Sequence, residues 1–506
     1  MKKDNEQART NAQAMNIRAA RTIAETVKST LGPMGMDKML VDGHGNVIVT
    51  NDGATILREV DVSHPGGKMI AEVAKTQENL CYDGTTSTVV LSGALLGHTE
   101  SLFAKGLHPN VICRGYHEAS QMATKYLQDE ITMLAEGRDE TLSVAKTAIT
   151  GKTLEHSLDQ VAELCVSAVE QAGDAKSVRV VSFPGGSVND SSLFNGVIVS
   201  KDFVIEDESD ASEYYQMMLI NTGLDVEKNE ENVQVQLDAQ SYSTYKSAGK
   251  ADLLSRAKEI VDAFKGKVGI VFVRDGVNDH VCAYLKKNGI YVVRRTPESA
   301  MRAMKRATNS TIYQTVDDIE DMTMTKVVRE MHNDIWYLFV HSNHKESKEA
   351  TLVLRGATTH TLEEVERGFD DALGVVSMVI GDEKVVVGGG NAYARMAVYL
   401  RQHAAQVGGR AQMAIEAFAD ALETIPATIA ENAGHDPLDT ILELRHRLMD
   451  GDLTVGPDVE NGGVCDMLKL GVLEPAELVR QAVLSAAEVT NAILRIDDII
   501  ARRGVE

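Results

Sequence analysis

Apolar residues along the chain fall into two textures, helical at both ends and strand-like in the middle. Residues 15–31 place Ile17, Ala20, Ile23, Ala24 and Val27 on an i, i+3, i+4, i+7 stripe that stops at Gly32-Pro33, which predicts a helix delivered into a glycine turn. Lys38 to Thr50 reads as two short β-rich runs around Gly43-His44-Gly45, closed by Asn51-Asp52-Gly53. Helical periodicity follows at 66–78, 85–103 and 113–134. From about Asn195 the pattern changes to short apolar runs at 197–199, 217–220, 268–273 and 290–293, with helical stretches at 251–264 and 277–287 between them. This is the pattern of an α/β module, and it ends near 352–356. Helical spacing returns at 361–378, 391–405, 410–424 and 474–493, with no repeat and no low-complexity linker.

Composition narrows the function classes. The 506 residues are 43% hydrophobic and 25% charged, as in an ordinary globular protein, and the length suits about three domains. Fifty-one Lys and Arg stand against 74 Asp and Glu, a formal charge of −23 that would repel a nucleic-acid backbone, so nucleic-acid binding is not expected. No long uncharged apolar run exists, and the first residues, Met1-Lys2-Lys3-Asp4-Asn5-Glu6, lead into polar sequence rather than a signal core. No membrane contact and a cytoplasmic location are therefore expected. Cys81, Cys113, Cys165, Cys282 and Cys465 are odd in number and widely spaced, which encodes neither a disulfide framework nor a metal knuckle and reads as buried free thiols.

Candidate chemistry sits in short glycine elements: Leu31-Gly32-Pro33-Met34-Gly35, Asn51-Asp52-Gly53-Ala54-Thr55, Asp83-Gly84-Thr85-Thr86-Ser87 and Gly388-Gly389-Gly390. Glycine permits positive φ and close approach, so successive N–H groups can point at an anion, while nearby Asp, Thr and Ser oxygens can hold a hard cation. The pattern reads as a nucleotide and magnesium site. A phosphate at Thr85 would meet a helix N-terminus, where free N–H groups favour an anion. Gly151-Lys152-Thr153 has the ending of a Walker A loop, but Lys146 stands where that motif needs its first glycine, so a P-loop is not expected. His332, His341 and His344 lack a fourth ligand and read as surface histidines rather than a zinc site.

Five blocks taken together carry a family resemblance: 31–41 from Leu31-Gly-Pro-Met-Gly, 50–57 through Asn51-Asp-Gly-Ala-Thr, Asp83-Gly-Thr-Thr-Ser87, Ala430-Glu-Asn-Ala-Gly434, and Ile493-Leu-Arg-Ile-Asp-Asp498. In this order from about residue 5 to 500, the chain resembles the group II chaperonins, the archaeal thermosome and its eukaryotic cytosolic relatives. The resemblance implies a multidomain α+β/α fold: a mainly helical equatorial domain from 1–133 and 388–506, a hinge-like intermediate domain from 134–193 and 353–387, and an α/β apical domain from 194–352 with a helical protrusion. That protrusion, a built-in lid, is expected over 234–263, so no separate co-chaperonin is expected. Identical or paralogous subunits in a stacked double ring, non-native protein substrates, and ATP, ADP and Mg2+ are implied with it.

The resemblance also assigns residues. Asp83 matches the family's magnesium-binding aspartate, and Gly84, Thr85, Thr86 and Ser87 its phosphate loop. Thr30, Leu31, Gly32 and Pro33 resemble the turn over the nucleotide, with Asn51 and Gly53 as further contacts. Gly389 matches the ribose contact and Glu474 the acidic group on the ribose or adenine side. Asp371 matches the carboxylate that orients the attacking water, with Asp52 as the second carboxylate near that water and Lys152 as the sensor of the terminal phosphate. Helical spacing alone leaves Asp370 and Asp371 equivalent; the family match selects Asp371. Such catalysis works by positioning and charge neutralisation, so a water-orienting group on a hinged segment would couple hydrolysis to closure. The chain departs from the family pattern at Tyr82, where a glycine is usual, at Met34, where lysine is common, in Asn391-Ala392-Tyr393-Ala394-Arg395, which replaces acidic residues, and at 502–506, which lacks a Gly/Met-rich tail. Tyr82 would crowd the phosphate loop, which motivates a second reading as a divergent ring subunit or scaffold that binds nucleotide with little hydrolysis.

Overall fold

The computed structural model describes residues 2–498 apart from 42, 44, 46, 153, 206–212, 226–238, 317–318, 320–321 and 345–346. The chain divides into two compact units, one from Met1–Val166 and Glu363–Glu506 and the other from Ser167–Leu362. The fold is the multidomain α+β one expected.

The first unit is built around helix Thr85–Ala104, which is buried nearly all round because Val89, Val90, Leu91, Leu95 and Leu96 face every side of it. Helices Lys2–Lys28, Pro65–Cys81, Gly409–Asn432 and Ala476–Leu494 pack on it, and Tyr116 of helix Pro109–Tyr126 meets Phe418 edge to face at 5.8 Å. Strands Lys38–Val41 and Val47–Thr50 pair antiparallel as predicted; His44 of the intervening turn lies outside the described residues. A small sheet in the order Leu473–Pro475, Lys384–Val387, Met133–Leu134 collects three distant segments.

Three predicted helix bounds change. The 113–134 stretch starts earlier, at Pro109, and gives way to a π turn at Leu127–Ile131 before Met133–Leu134 joins the small sheet. Glu474 lies in a strand rather than opening a helix, because a residue before proline is steered away from α geometry; the helix starts at Ala476 with Pro475 as its N-cap. Helix Gly409–Asn432 runs straight through Pro426, beyond the predicted stop at 424.

In the second unit, a nine-stranded sheet among the described residues runs Arg179–Pro184, Ala350–Gly356, Ser192–Val199, Ile335–His341, Thr323–His332, Tyr214–Ile220, Gly269–Val273, Ile290–Val293, with Ile312–Tyr313 also beside Tyr214–Ile220. Strand alternation sends Met217, Leu219, Ile270 and Phe272 to the face covered by helix Glu298–Thr308. Met218, Ile220, Val271 and Val273 go to the other face, against helices Ala239–Phe264 and Asp279–Lys287. The expected domain boundaries at 193/194 and 352/353 fall inside two paired strands of this sheet. Of the expected protrusion, 234–238 lies outside the described residues, as does the 502–506 terminus; 239–263 belongs to helix Ala239–Phe264. No helix among the described residues is long and apolar enough to cross a membrane.

Of the histidines read as a surface group, His344 is exposed as expected, while His332 and His341 are half-buried. His332 stacks on Phe183 at 4.1 Å and bonds Glu330, while His341 meets Phe194 edge-on, so ring packing accounts for both. Cys81, Cys165 and Cys282 are buried free thiols as expected, while Cys113 and Cys465 are half-buried.

Candidate functional site

Helix Pro65–Cys81 ends at Tyr82, whose left-handed backbone (φ 63, ψ −23) turns the chain into Asp83 and Gly84. Gly84 is also left-handed (φ 77, ψ 12), and an added Cβ would come 2.7 Å from Leu478 Cδ2, so only glycine fits there. It is the N-cap of helix Thr85–Ala104 and offers no side chain, which leaves first-turn N–H groups open to an anion. Buried Gln77 holds the turn by donating to the Asp83 carbonyl at 3.2 Å and the Leu478 carbonyl at 3.3 Å. The sequence pattern carried no sign of this role, since a glutamine on a helix face looks like any polar residue.

Asp52 caps the short helix Gly53–Glu59: its carboxylate accepts from Thr55 N–H at 2.7 Å and Ala54 N–H at 3.3 Å. Thr85 also donates to it at 3.4 Å, which joins this turn to the phosphate loop. Gly53 touches that loop directly, since a Cβ there would lie 2.5 Å from Thr86 Oγ1. Asn51 donates to the Gly151 carbonyl at 2.5 Å and so fixes the segment that presents Lys152. The 30–33 turn is held from the far end of the chain, by Asn432 donating to the carbonyls of Lys28 and Leu31. That gives the Ala430–Gly434 block a structural reason. The Thr30 hydroxyl is used locally, on the Val27 carbonyl.

The charge centre is Lys152. Its ammonium lies 2.6 Å from Asp371 Oδ2 and 4.0 Å from Asp83 Oδ1. Burial works against that charge, but Asp371, Asp83 and Asp52 outweigh it and hold the ammonium above its ordinary range. Burial pushes the Asp371 carboxyl up, Lys152 draws it back, and Asp83 and Asp52 push it further up. Asp370, the neighbour that spacing could not distinguish, is the more exposed of the two on helix Thr359–Asp382.

The Tyr82 ring does not crowd the phosphate loop. It lies on Gly374, one turn beyond Asp371, where an added Cβ would come 2.0 Å from Tyr82 Cγ, and it does not line the cleft. A side chain at 374 would have to displace the ring. Gly374→Ala is expected to cost about 1–3 kcal/mol, the usual range for overpacking, seen as a lower melting temperature that Tyr82→Gly in the same chain restores.

The other wall comes from the small sheet. Val386 pairs with Glu474, and the strand then breaks into Gly388-Gly389-Gly390. Gly389 and Gly390 are left-handed (φ 62 and 82), and Gly389 N–H donates to Glu474 Oε1 at 3.2 Å. Burial pushes Glu474 up to about 7, with Asp83 adding and the Gly389 N–H pulling back. A carboxyl raised in the folded state gives stability that is fully present below its unfolded value near 4.5 and is lost as pH rises through about 7. The melting temperature should therefore fall from pH 5 to 8, and Glu474→Gln should flatten that slope; an unchanged slope in calorimetric scans would refute the assignment.

These parts enclose a cleft of about 500 Å³ wholly within the first unit. It is lined by the 30–33 turn, Asn51, Asp52, the whole of 83–87, Lys152, Gly389 and Glu474. Gly53 and Asp371 do not line it; Asp371 reaches it through Lys152. The 457–461 loop and Tyr393 line it as well and were not read as site residues. Asp458 followed by Gly462-Gly463 is a turn signal that would have drawn attention to that loop. No group of three or more His, Cys, Asp or Glu able to hold a metal occurs among the described residues. Asp83, one of the carboxylates that line the cleft, suits magnesium, which binds through one or two carboxylates and takes phosphates and water for the rest.

Comparison with known proteins gives the family. A model of the TCP-1/cpn60 chaperonin family matches residues 23–503. The chain is 42% identical to a thermosome subunit of Methanopyrus kandleri over 97% of its own length and 92% of the relative's. It is 42% identical to thermosome subunit alpha of Halobacterium salinarum (97% and 88% covered) and 40% identical to thermosome subunit beta of Archaeoglobus fulgidus (98% and 93%).

Proposed function

Because the chain belongs to the TCP-1/cpn60 chaperonin family, on its group II, thermosome-like side, we propose that it is an ATP-hydrolysing subunit of a protein-folding chamber. The observation that carries this reading is the Lys152 ammonium set between Asp371 and Asp83 at a cleft that ends on the open N-terminus of helix Thr85–Ala104. Diphosphate would lie on that N-terminus and on the hydroxyls of Thr85, Thr86 and Ser87. The ribose would lie by Gly389 and Glu474, under the turn of Thr30, Leu31, Gly32 and Pro33. Magnesium, held by Asp83 and the phosphates, would supply charge neutralisation at the transferring group. When the terminal phosphate draws Lys152 towards itself, the Asp371 carboxylate is released to orient the attacking water, with Asp52 beside it.

The intermediate segments 134–193 and 353–387 are proposed as hinges for an apical domain at 194–352, so that hydrolysis drives closure of a lid over non-native protein in an acidic chamber. The second unit leaves Met324, Met331 and Ile335 exposed, the kind of apolar surface that holds unfolded chains. A cytoplasmic location without a separate co-chaperonin belongs to the same reading. The scaffold alternative draws nothing from Tyr82, whose ring lies on Gly374.

Assembly into rings has its own support. Met39 pairs with Val49 and Val41 with Val47 across the 38–50 hairpin, and all four side chains are exposed on one face. A two-stranded ribbon with an uncovered apolar face is poorly stable alone and suits a neighbouring subunit. Val49→Asp should shift light-scattering mass from ring to smaller species; unchanged mass would remove the hairpin from the interface. For the activity itself, the open protein should retain a denatured model protein and lose it on adding ATP. Equal retention with and without ATP would count against the proposal.

A further inference from the structure

Tyr393 stands in the first turn of helix Asn391–Val407, directly after the glycine run. Its side chain is 3% exposed and lines the cleft, and its hydroxyl has no partner in full hydrogen-bond geometry, with the Ser87 hydroxyl as the nearest candidate. A buried hydroxyl without a well-formed hydrogen bond costs free energy, and a ligand acceptor in the cleft would supply a better one than Ser87 does. Burial raises the phenol well above its ordinary range, with Glu474 and Asp83 adding to this and Ser87 close enough to temper it, so the group stays a neutral donor at any working pH. The same neighbours fix where it stands: Glu474 on the ribose side, Ser87 and Asp83 on the phosphate side.

We propose that the Tyr393 hydroxyl donates a hydrogen bond to the phosphate that joins the ribose to the rest of a bound nucleoside diphosphate, and is thereby a nucleotide-binding residue of this chain. The inference rests on the nucleotide reading of the cleft. A diphosphate laid from the Glu474 side towards the helix start at Thr85 passes this hydroxyl, and its non-bridging oxygens are acceptors of the kind missing there. The base and ribose hydroxyls lie on the other side of Glu474 in that pose.

Tyr393→Phe removes the hydroxyl and keeps the ring, so the packing of the helix is preserved. Titration of the assembled protein with ADP should show affinity lower by about ten-fold or more, the scale of a hydrogen bond to a charged group, while adenosine used as a displacing ligand should bind as it does to the native protein. The melting temperature without nucleotide should stay nearly level, because the ring and its packing are kept and the hydroxyl has no well-formed partner to lose. Equal ADP affinity in the two proteins, or an equal loss for ADP and adenosine, would overturn the assignment. A native protein that binds no ADP would overturn the nucleotide reading itself, an outcome separate from the first because the variant is not needed to see it.

Discussion

Replacing Asp371 by alanine is expected to lower ATP turnover by about a hundred-fold or more, the range for losing a positioned carboxylate that handles the attacking water, while ADP binds nearly as before. The carboxylate bonds Lys152 and does not line the cleft, so its loss leaves the surface that would hold base, ribose and diphosphate intact. The fold should tolerate the change, because Lys152 keeps Asp83 at 4.0 Å and the push from a half-buried third carboxylate disappears. Single-turnover phosphate release with the two proteins side by side checks this. Asp370→Ala is the matched control: that side chain is exposed, and its loss should leave turnover near native. Similar rates for Asp371→Ala and native protein would remove Asp371 from the chemistry.

Lys152→Met should act on stability and hydrolysis together. Removing one partner of a fully buried ion pair costs about 3–5 kcal/mol, and this half-buried pair should lose a part of that, because the other charge is left with less compensation. Asp371 would then lose the one influence that draws its carboxyl down, while burial, Asp83 and Asp52 continue to push it up. The folded variant would hold a proton to higher pH than native protein does. A carboxyl raised in the folded state gives stability that fades as pH rises through its folded value, so the variant's melting temperature should drop more steeply between pH 6 and 9 than the native one. Hydrolysis should also fall by about a hundred-fold, since the terminal phosphate loses its cation. Parallel melting curves across that range would contradict the charge arrangement described here.

Local chemistry explains what could be read from residues alone. The Asp83–Ser87 element announced itself because a left-handed glycine before a helix start has few other uses, and the structure puts an uncapped N-terminus there. The 38–50 hairpin and the apolar runs of the second unit were legible because strand alternation is a short-range signal. Asp371 was not legible from spacing; two adjacent aspartates on a helix differ only in which one meets Lys152, and that depends on segments 219 positions apart. Glu474 was placed on a helix because its apolar neighbours mimic one, whereas Pro475 and the pairing with Val386 make it a strand residue. Tyr82 looked obstructive because its ring was considered without Gly374, which is what receives it. Gln77 carries no pattern at all, and Tyr393 lies in a segment marked only as a departure from the family, since what distinguishes both is burial beside a turn.

The central claim is that Asp83, Lys152 and Asp371 serve one nucleotide in one cleft. A structure of the protein solved with magnesium, ADP and aluminium fluoride tests it most directly, because the fluoride marks the position of the transferring phosphate. The account predicts diphosphate on the Thr85 helix start, Asp83 at the metal, and the fluoride within reach of both Lys152 and Asp371. Nucleotide bound elsewhere, or a fluoride that neither Lys152 nor Asp371 approaches, would contradict it.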